Sequence, residues 1–149
     1  MLELAREFPF ARALINSGRL SVPCSLEGAR SITPDRDDNA VAIPRPGQVM
    51  LDAPVRVAGQ DSWLLRLCGP HFTCLCVGTM PPATVPAGIK VLVAGQDFED
   101  IRGTVFARYA AQGPATYLIR PDQHIAARFG AASTSALAAA WRRCLALPD

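Results

Sequence analysis

Two short apolar runs stand out in the second half of the chain. Residues 72–78 and 89–95 are rich in β-branched, cysteine and leucine residues and each ends in glycine, which is the pattern of buried β-strands. Only ten residues, 79–88, separate the two runs, and three of these are prolines. A parallel crossover usually needs a dozen or more residues and often contains a helix. The pattern therefore predicts two parallel strands with an unusually short connection.

Two further strands are predicted over residues 115–120 and 123–128. Pro121 and Asp122 stand between them. Proline presets the backbone angle of the first central turn position, and aspartate can hydrogen-bond to the nearby backbone. This segment therefore predicts an antiparallel hairpin.

Three helical segments surround these strands. Residues 63–69 predict a single turn ended by glycine, and residues 104–111 predict a short helix. An alanine-rich helix follows Ser133 or Thr134, either of which can cap it, and Pro148 is expected to stop it. Strand, crossover, strand, short helix, hairpin and long helix is the order of an α/β fold, a thioredoxin-like mixed sheet flanked by helices.

The first third of the chain has a different character. Residues 1–18 have helical spacing but contain Pro9, so a short helix is expected near that proline. The stretch from Ser21 to Pro54 has no periodic pattern and predicts an extended, proline-rich arm that lies over another surface, one that this chain need not contain, or is partly disordered. We therefore divide the chain into residues 1–54, the N-terminal helix and arm, and residues 55–149, the thioredoxin-like domain.

Composition narrows the class of protein. A chain of 149 residues has the size of one domain, and 50% hydrophobic with 19% charged residues excludes a disordered polyampholyte. No apolar run approaches the roughly 18 residues of a membrane span. The net charge of +2 comes without a basic block, so no nucleic-acid partner is expected. Charged residues interrupt the first ten positions, which lack the apolar stretch of a secretory signal, so the expected location is cytoplasmic.

Cysteine supplies the densest cluster of reactive residue types. Cys68, His71, Cys74 and Cys76 are the side chains that zinc prefers, and five cysteines in total favour reduced thiols over a disulfide framework. A straight strand, however, cannot wrap nearby ligands around a tetrahedral ion. Redox chemistry normally needs a cysteine at a helix N-terminus after the first strand, where residues 78–82 have none. Inert packing is favoured, and a stand-alone thiol-redox or zinc-binding module built from these four residues is the alternative.

The other candidates carry less chemistry. Asp97, Glu99 and Asp100 follow the second strand, where acidic residues usually form a solvated loop or a helix cap. His124 has no nucleophile or orienting acid at a recognisable spacing. Neither Gly-x-Gly-x-x-Gly nor a P-loop pattern is present. The sequence therefore assigns no catalytic, cofactor-binding or metal-binding residue.

The segment 117–128, Tyr-Leu-Ile-Arg-Pro-Asp-Gln-His-Ile-Ala-Ala-Arg, resembles the C-terminal domain of FAD-dependent aromatic hydroxylases of the 3-(3-hydroxyphenyl)propionate hydroxylase and phenol hydroxylase type. The short connection at residues 79–88 departs from the family, which usually has a longer, often helical link. The resemblance covers nearly the whole chain and includes, in the family's order, residues 16–21, 45–47, 52–55, 69–73 and 106–109.

The resemblance implies a thioredoxin-like domain without redox cysteines. The predicted order of elements itself places Pro114 just before the third strand, where that fold commonly has a cis-proline. It implies a parent oxidoreductase, an FAD-dependent monooxygenase whose FAD and NAD(P)H are bound outside this chain. The expected function is a noncatalytic structural or assembly domain. Its expected partners are the flavin and substrate domains of a hydroxylase, or a second copy in a homodimer.

Overall fold

The computed structural model describes residues 24–35 and 44–147. The predicted N-terminal helix, parts of the arm and the stop at Pro148 lie outside the described residues. None of the described helices has the length and hydrophobicity to span a membrane. The elements are, in chain order, β1 Pro54–Val57, β2 Gln60–Trp63, α1 Leu64–Cys68, β3 Phe72–Val77, β4 Ile89–Val93, α2 Thr104–Tyr109, β5 Ala115–Ile119, β6 Ile125–Phe129 and α3 Thr134–Cys144.

Four strands form one mixed sheet in the order β4-β3-β5-β6. β3 pairs parallel with β4 and antiparallel with β5, and β5 pairs antiparallel with β6. At the centre of the sheet, Cys74 lies opposite Val91 on one side and Leu118 on the other. The predicted mixed α/β architecture, a parallel pair followed by an antiparallel hairpin and flanked by helices, is confirmed.

Side chains that alternate along β3 divide the core into two layers. Leu75 packs with Tyr109 of α2 in one layer. Cys74 and Cys76 pack with Leu137 of α3 in the other layer. Because both faces are covered, β3 has a continuous apolar sequence instead of an alternating one.

The connection between β3 and β4 contains no helix, as the sequence predicts. Residues 78–88 run as bends, a turn and chain without regular secondary structure. Their three prolines lack backbone N–H donors and disfavour helical backbone before them. Val85 of this connection packs against the layer that contains α3, so an irregular segment covers part of the face that a crossover helix commonly covers.

The hairpin of β1 and β2 was not predicted. Ala58 and Gly59 join its strands with φ angles of 48° and 80°, which is the left-handed backbone of a tight two-residue turn. Ala-Gly is a weaker signal for this turn than Asn-Gly, because alanine adopts positive φ only at a cost. The Gly59 position and the apolar Val55 and Val57 before it were the available clues.

The cis bond expected before Pro114 is wrong, since no peptide bond of the described residues is cis. X-Pro bonds favour the trans form by about 0.5–1 kcal/mol unless the surrounding structure imposes the alternative. Pro114 is exposed at the start of β5, so no enclosing core imposes it there.

The described parts of the arm lie along the outer edge of β6. Thr33 N–H donates to the Ala126 carbonyl at 2.8 Å, and Gly47 N–H donates to the Ile125 carbonyl at 2.7 Å. Ile125 N–H in turn donates to the Gln48 carbonyl at 2.9 Å. The surface that these parts of the arm cover is therefore the edge of this chain's own sheet, where exposed backbone groups would otherwise invite association.

Gly47 is the tightest contact within the arm. Its φ is +94°, and a Cβ atom built there would lie 2.4 Å from the Glu27 nitrogen and 2.8 Å from the Leu26 carbonyl carbon. The Leu26 N–H donates to the Gly47 carbonyl at 2.8 Å, which joins the two described segments of the arm. Only glycine combines this backbone angle with this approach.

We expect Gly47→Ala to lower the free energy of unfolding by at least about 2 kcal/mol, because backbone strain and a backbone clash add. Urea denaturation of the full chain measures the change. Gly59→Ala is the matched control, since Gly59 has φ +80° but no atom lies within 4 Å of the position that a Cβ would take there. It should lose only about 1–2 kcal/mol. Equal losses in the two variants would contradict the close contact at Gly47.

Candidate functional site

The four residues of the alternative thiol or zinc site do not come together. Cys68 lies in the core layer that contains Tyr109. Cys74 and Cys76 lie on the opposite face of β3, and His71 is exposed before that strand. Across residues 24–35 and 44–147, no three histidine, cysteine or acidic side chains are grouped as metal ligands. This arrangement does not provide the single centre that a tetrahedral zinc site requires.

Cys74 and Cys76 contact each other inside the sheet. Their Sγ atoms are 3.9 Å apart, far beyond the roughly 2.05 Å of a disulfide bond, and both residues are fully buried. The hydrogen bond with Cys76 and burial raise the pKa of Cys74 above its ordinary value. Burial also raises the pKa of Cys68 to about 11, although the charge of Lys90 opposes this. The hydrogen bond with Cys74 lowers the pKa of Cys76, but the Cys76 thiol is fully buried and has no solvent access. Reactive thiols need both a lowered pKa and solvent access, so this environment favours inert packing.

The acidic residues after β4 serve the local backbone. The Asp97 carboxylate accepts a hydrogen bond from the Val93 N–H at 2.7 Å. The Asp100 carboxylate accepts one from the Phe106 N–H at 3.0 Å, in the first turn of α2. The Glu99 side chain is 64% exposed. These contacts support the loop and helix-end roles that the sequence favours for such residues.

The Arg-Pro-Asp-Gln-His motif anchors the arm. Arg120 donates from Nε and Nη2 to the Asp122 carboxylate at 2.8–3.2 Å, and from Nη1 to the Ser31 hydroxyl at 3.1 Å. His124 donates from Nε2 to the Cys24 carbonyl at 2.9 Å. One network thus connects the β5–β6 turn to two points of the arm.

A buried ion pair provides another anchor. Arg128 Nη2 lies 2.9 Å from Asp35 Oδ2, and the two side chains are only 7% and 17% exposed. The Cys144 thiol of α3 donates to the Ser31 carbonyl at 3.2 Å. Sequence reasoning singled out the motif but missed this role, because Asp35 and Arg128 are 93 positions apart. Removal of one partner of such a pair would leave a buried charge uncompensated.

The turns after β3 and β4 do not fit a flavin or nicotinamide cofactor. A dinucleotide needs a glycine-rich turn that leads from a strand into a helix N-terminus. Gly78 begins a helix-free, proline-containing connection, and Gly95 N–H donates to the Phe98 carbonyl in a turn that folds back on β4. Within the described residues, neither turn forms a phosphate cradle.

Comparisons with known proteins find the same fold in flavin enzymes. No family model and no curated protein matches the sequence. The chain is similar to aklavinone-11 hydroxylase, solved with FAD and aklavinone, with a TM-score of 0.62 and 22% identity over 79% of this chain. It is also similar to the flavin-dependent monooxygenase PieE, solved with FAD and substrate, with a TM-score of 0.66 and 17% identity over 99% of this chain.

The chain spans only 25% of aklavinone-11 hydroxylase and 32% of PieE. It therefore shares the fold of one part of two larger flavin-dependent enzymes. At these identities the likeness shows that the fold is shared, and it does not assign the activity of those enzymes to this chain.

Thiol reactivity tests the packing of the cysteines. With Ellman's reagent at neutral pH we expect Cys24, the one exposed cysteine among the described residues, to react fast. Cys68, Cys74 and Cys76 should react only after unfolding, because reagent and solvent cannot reach them. Cys24→Ser should remove the fast phase and Cys76→Ser should leave it unchanged. Fast labelling of Cys74 or Cys76 in the native protein would contradict this packing.

Acid should release the arm through Asp122. Partial burial tends to raise the pKa of Asp122, but hydrogen bonds from Arg120 and from the His124 N–H outweigh it, so the pKa lies below its ordinary value. A depressed carboxylate pKa contributes stability that is present above the ordinary value and lost as the pH falls through the lowered one. At neutral pH we expect the amide protons of residues 24–35 to be protected from hydrogen exchange. We expect this protection to decrease as the pH falls below about 4.

Asp122→Asn should reduce this protection already at neutral pH and flatten its acid dependence. Asp61→Asn is the control, because Asp61 pairs with Arg56 in the β1–β2 hairpin, away from the arm. Unchanged protection in Asp122→Asn, or equal effects in the two variants, would contradict the role of Asp122.

Proposed function

We propose that this chain is a noncatalytic, thioredoxin-like structural domain of a flavin-dependent aromatic-ring hydroxylase, or is derived from one, and corresponds to the C-terminal domain of the enzymes that its sequence resembles. The likeness to PieE carries the proposal, since it extends over 99% of this chain but only 32% of PieE. The proposal assigns FAD and NAD(P)H binding, and hydroxylation itself, to other domains.

The polar and sulfur-containing residues support this assignment through the contacts they make. Arg120 and Asp122 hold the arm, and Asp100 holds the start of α2. Cys74 and Cys76 fill the core. Side chains with these contacts have a structural role within the fold, and this role does not require a substrate. Buried polar groups satisfied within the fold are the common case in proteins.

A structural domain of this kind needs a partner surface. We propose that its partner, in the cytoplasm, is either the flavin and substrate domains of a hydroxylase or a second copy of this chain in a homodimer. Among the described residues outside α3 and the segment after it, four large apolar side chains are 42–58% exposed: Leu51, Trp63, Met80 and Phe106. Phe106 adjoins Gly78 at the carboxyl end of β3, from which the connection to Met80 begins. These exposed apolar side chains are the candidates for contact with a partner domain.

Cofactor binding tests the proposed division of labour. We expect the chain, purified after incubation with excess FAD, to elute without flavin absorbance and to leave NADPH unoxidised, because its turns lack a phosphate cradle. A full-length flavin hydroxylase treated in the same way is the control. Stoichiometric FAD bound to this chain would overturn the proposal.

Light scattering on the same sample tests the homodimer. A mass twice 15.9 kDa is expected, and a monomer at every concentration would reject self-association while leaving the domain assignment to be judged by the FAD result.

A further inference from the structure

A cavity of about 620 Å³ lies between the arm, the end of β6 and α3. Its volume is within the range of roughly 300–1,000 Å³ that small-molecule sites occupy. Ala136, Ala139 and Ala140 of α3 form one wall, and Pro114 and Phe129 lie among the other lining residues. The cavity therefore has an apolar wall beside polar groups, and its volume is large enough for a small organic ligand.

Three of the described residues that line the cavity are charged. Arg128 and Asp35 line it as the buried ion pair that anchors the arm. Arg143 also lines it, is exposed, and has no acidic group within ion-pair distance among the described residues. Among the described lining residues, Asp35 and Arg128 face each other, whereas the Arg143 guanidinium faces no carboxylate.

The arm reaches this cavity at Thr33 and Asp35. The Thr33 backbone is fixed there by its N–H bond to the Ala126 carbonyl. The Thr33 Oγ1 atom is buried, so the polar contact with a ligand has to come from another residue.

We propose that this cavity binds a small organic monocarboxylate with an apolar body. The Arg143 guanidinium pairs with the carboxylate, because its planar fork of N–H donors matches the two carboxylate oxygens. The alanine wall of α3 contacts the apolar body, and its short side chains leave the space that the body fills.

Titration with benzoate, followed by calorimetry and by amide NMR shifts, tests the site in the full chain. We expect saturable binding, with the largest shifts around Thr33 and α3. Benzamide, which has the same shape without the charge, should bind roughly tenfold more weakly, because it loses the ion pair. Benzoate binding that matches benzamide binding would overturn the assignment of Arg143.

Two substitutions on α3 separate this site from general attraction of anions. Arg143→Gln should weaken benzoate binding roughly tenfold. Arg142→Gln is the matched control, since Arg142 is the exposed neighbouring arginine that does not line the cavity, and it should leave the affinity within about twofold. Equal losses in the two variants, or no saturable binding, would reject the proposal.

Ala139→Phe provides a test that does not involve charge. Ala139 is exposed and lines the cavity, so a phenyl ring can fill the space without entering the core. We expect this variant to keep its thermal stability and to lose benzoate binding. Unchanged binding would place benzoate elsewhere. These outcomes are independent of the FAD experiment, which tests a different property of the chain.

Discussion

The pairing of the arm with β6 is the constraint on which the arrangement of this chain depends. Without the arm, the last strand of the sheet would expose its backbone N–H and carbonyl groups along one edge. The arm satisfies them through Thr33, Gly47 and Gln48. Tyr109 then donates from its hydroxyl to the Leu51 carbonyl, which fixes the chain where the arm passes into β1. The first and last parts of the described chain are thereby one packed unit.

The packing around β3 gives a physical reason to expect that its two cysteines are unreactive. β3 has neighbouring strands on both sides and packed layers on both faces, so its two cysteines are removed from water. Tyr117 donates to the Tyr109 carbonyl at 2.7 Å, and the two rings meet edge to face at 5.2 Å, which closes the layer opposite those cysteines. Burial that disfavours a thiolate also disfavours metal binding and disulfide exchange.

Local patterns predicted the sheet well, because strand length, apolar runs and turn residues are properties of neighbouring positions. The runs ending at Gly78 and Gly95 and the Pro121 turn each correspond to observed elements. Contacts between distant positions were beyond such reasoning. The Arg120 motif was visible as a motif, but its partner Ser31 lies 89 positions earlier in a stretch without periodicity. The hairpin around Gly59 was missed because Ala-Gly is a weak turn signal.

Polar side chains that hold the arm are not free to bind a ligand. Ligand binding is therefore expected where a polar side chain has no such role. Arg128 and Arg143 both line the cavity beside α3, yet only Arg128 faces a carboxylate among the described residues, that of Asp35. An ion pair with low exposure contributes to position and specificity, whereas an exposed guanidinium beside an apolar wall remains available to an anion. The arm therefore has two consequences: it closes the edge of the sheet, and its Thr33–Asp35 segment completes one wall of a cavity that the sheet and α3 alone would leave open.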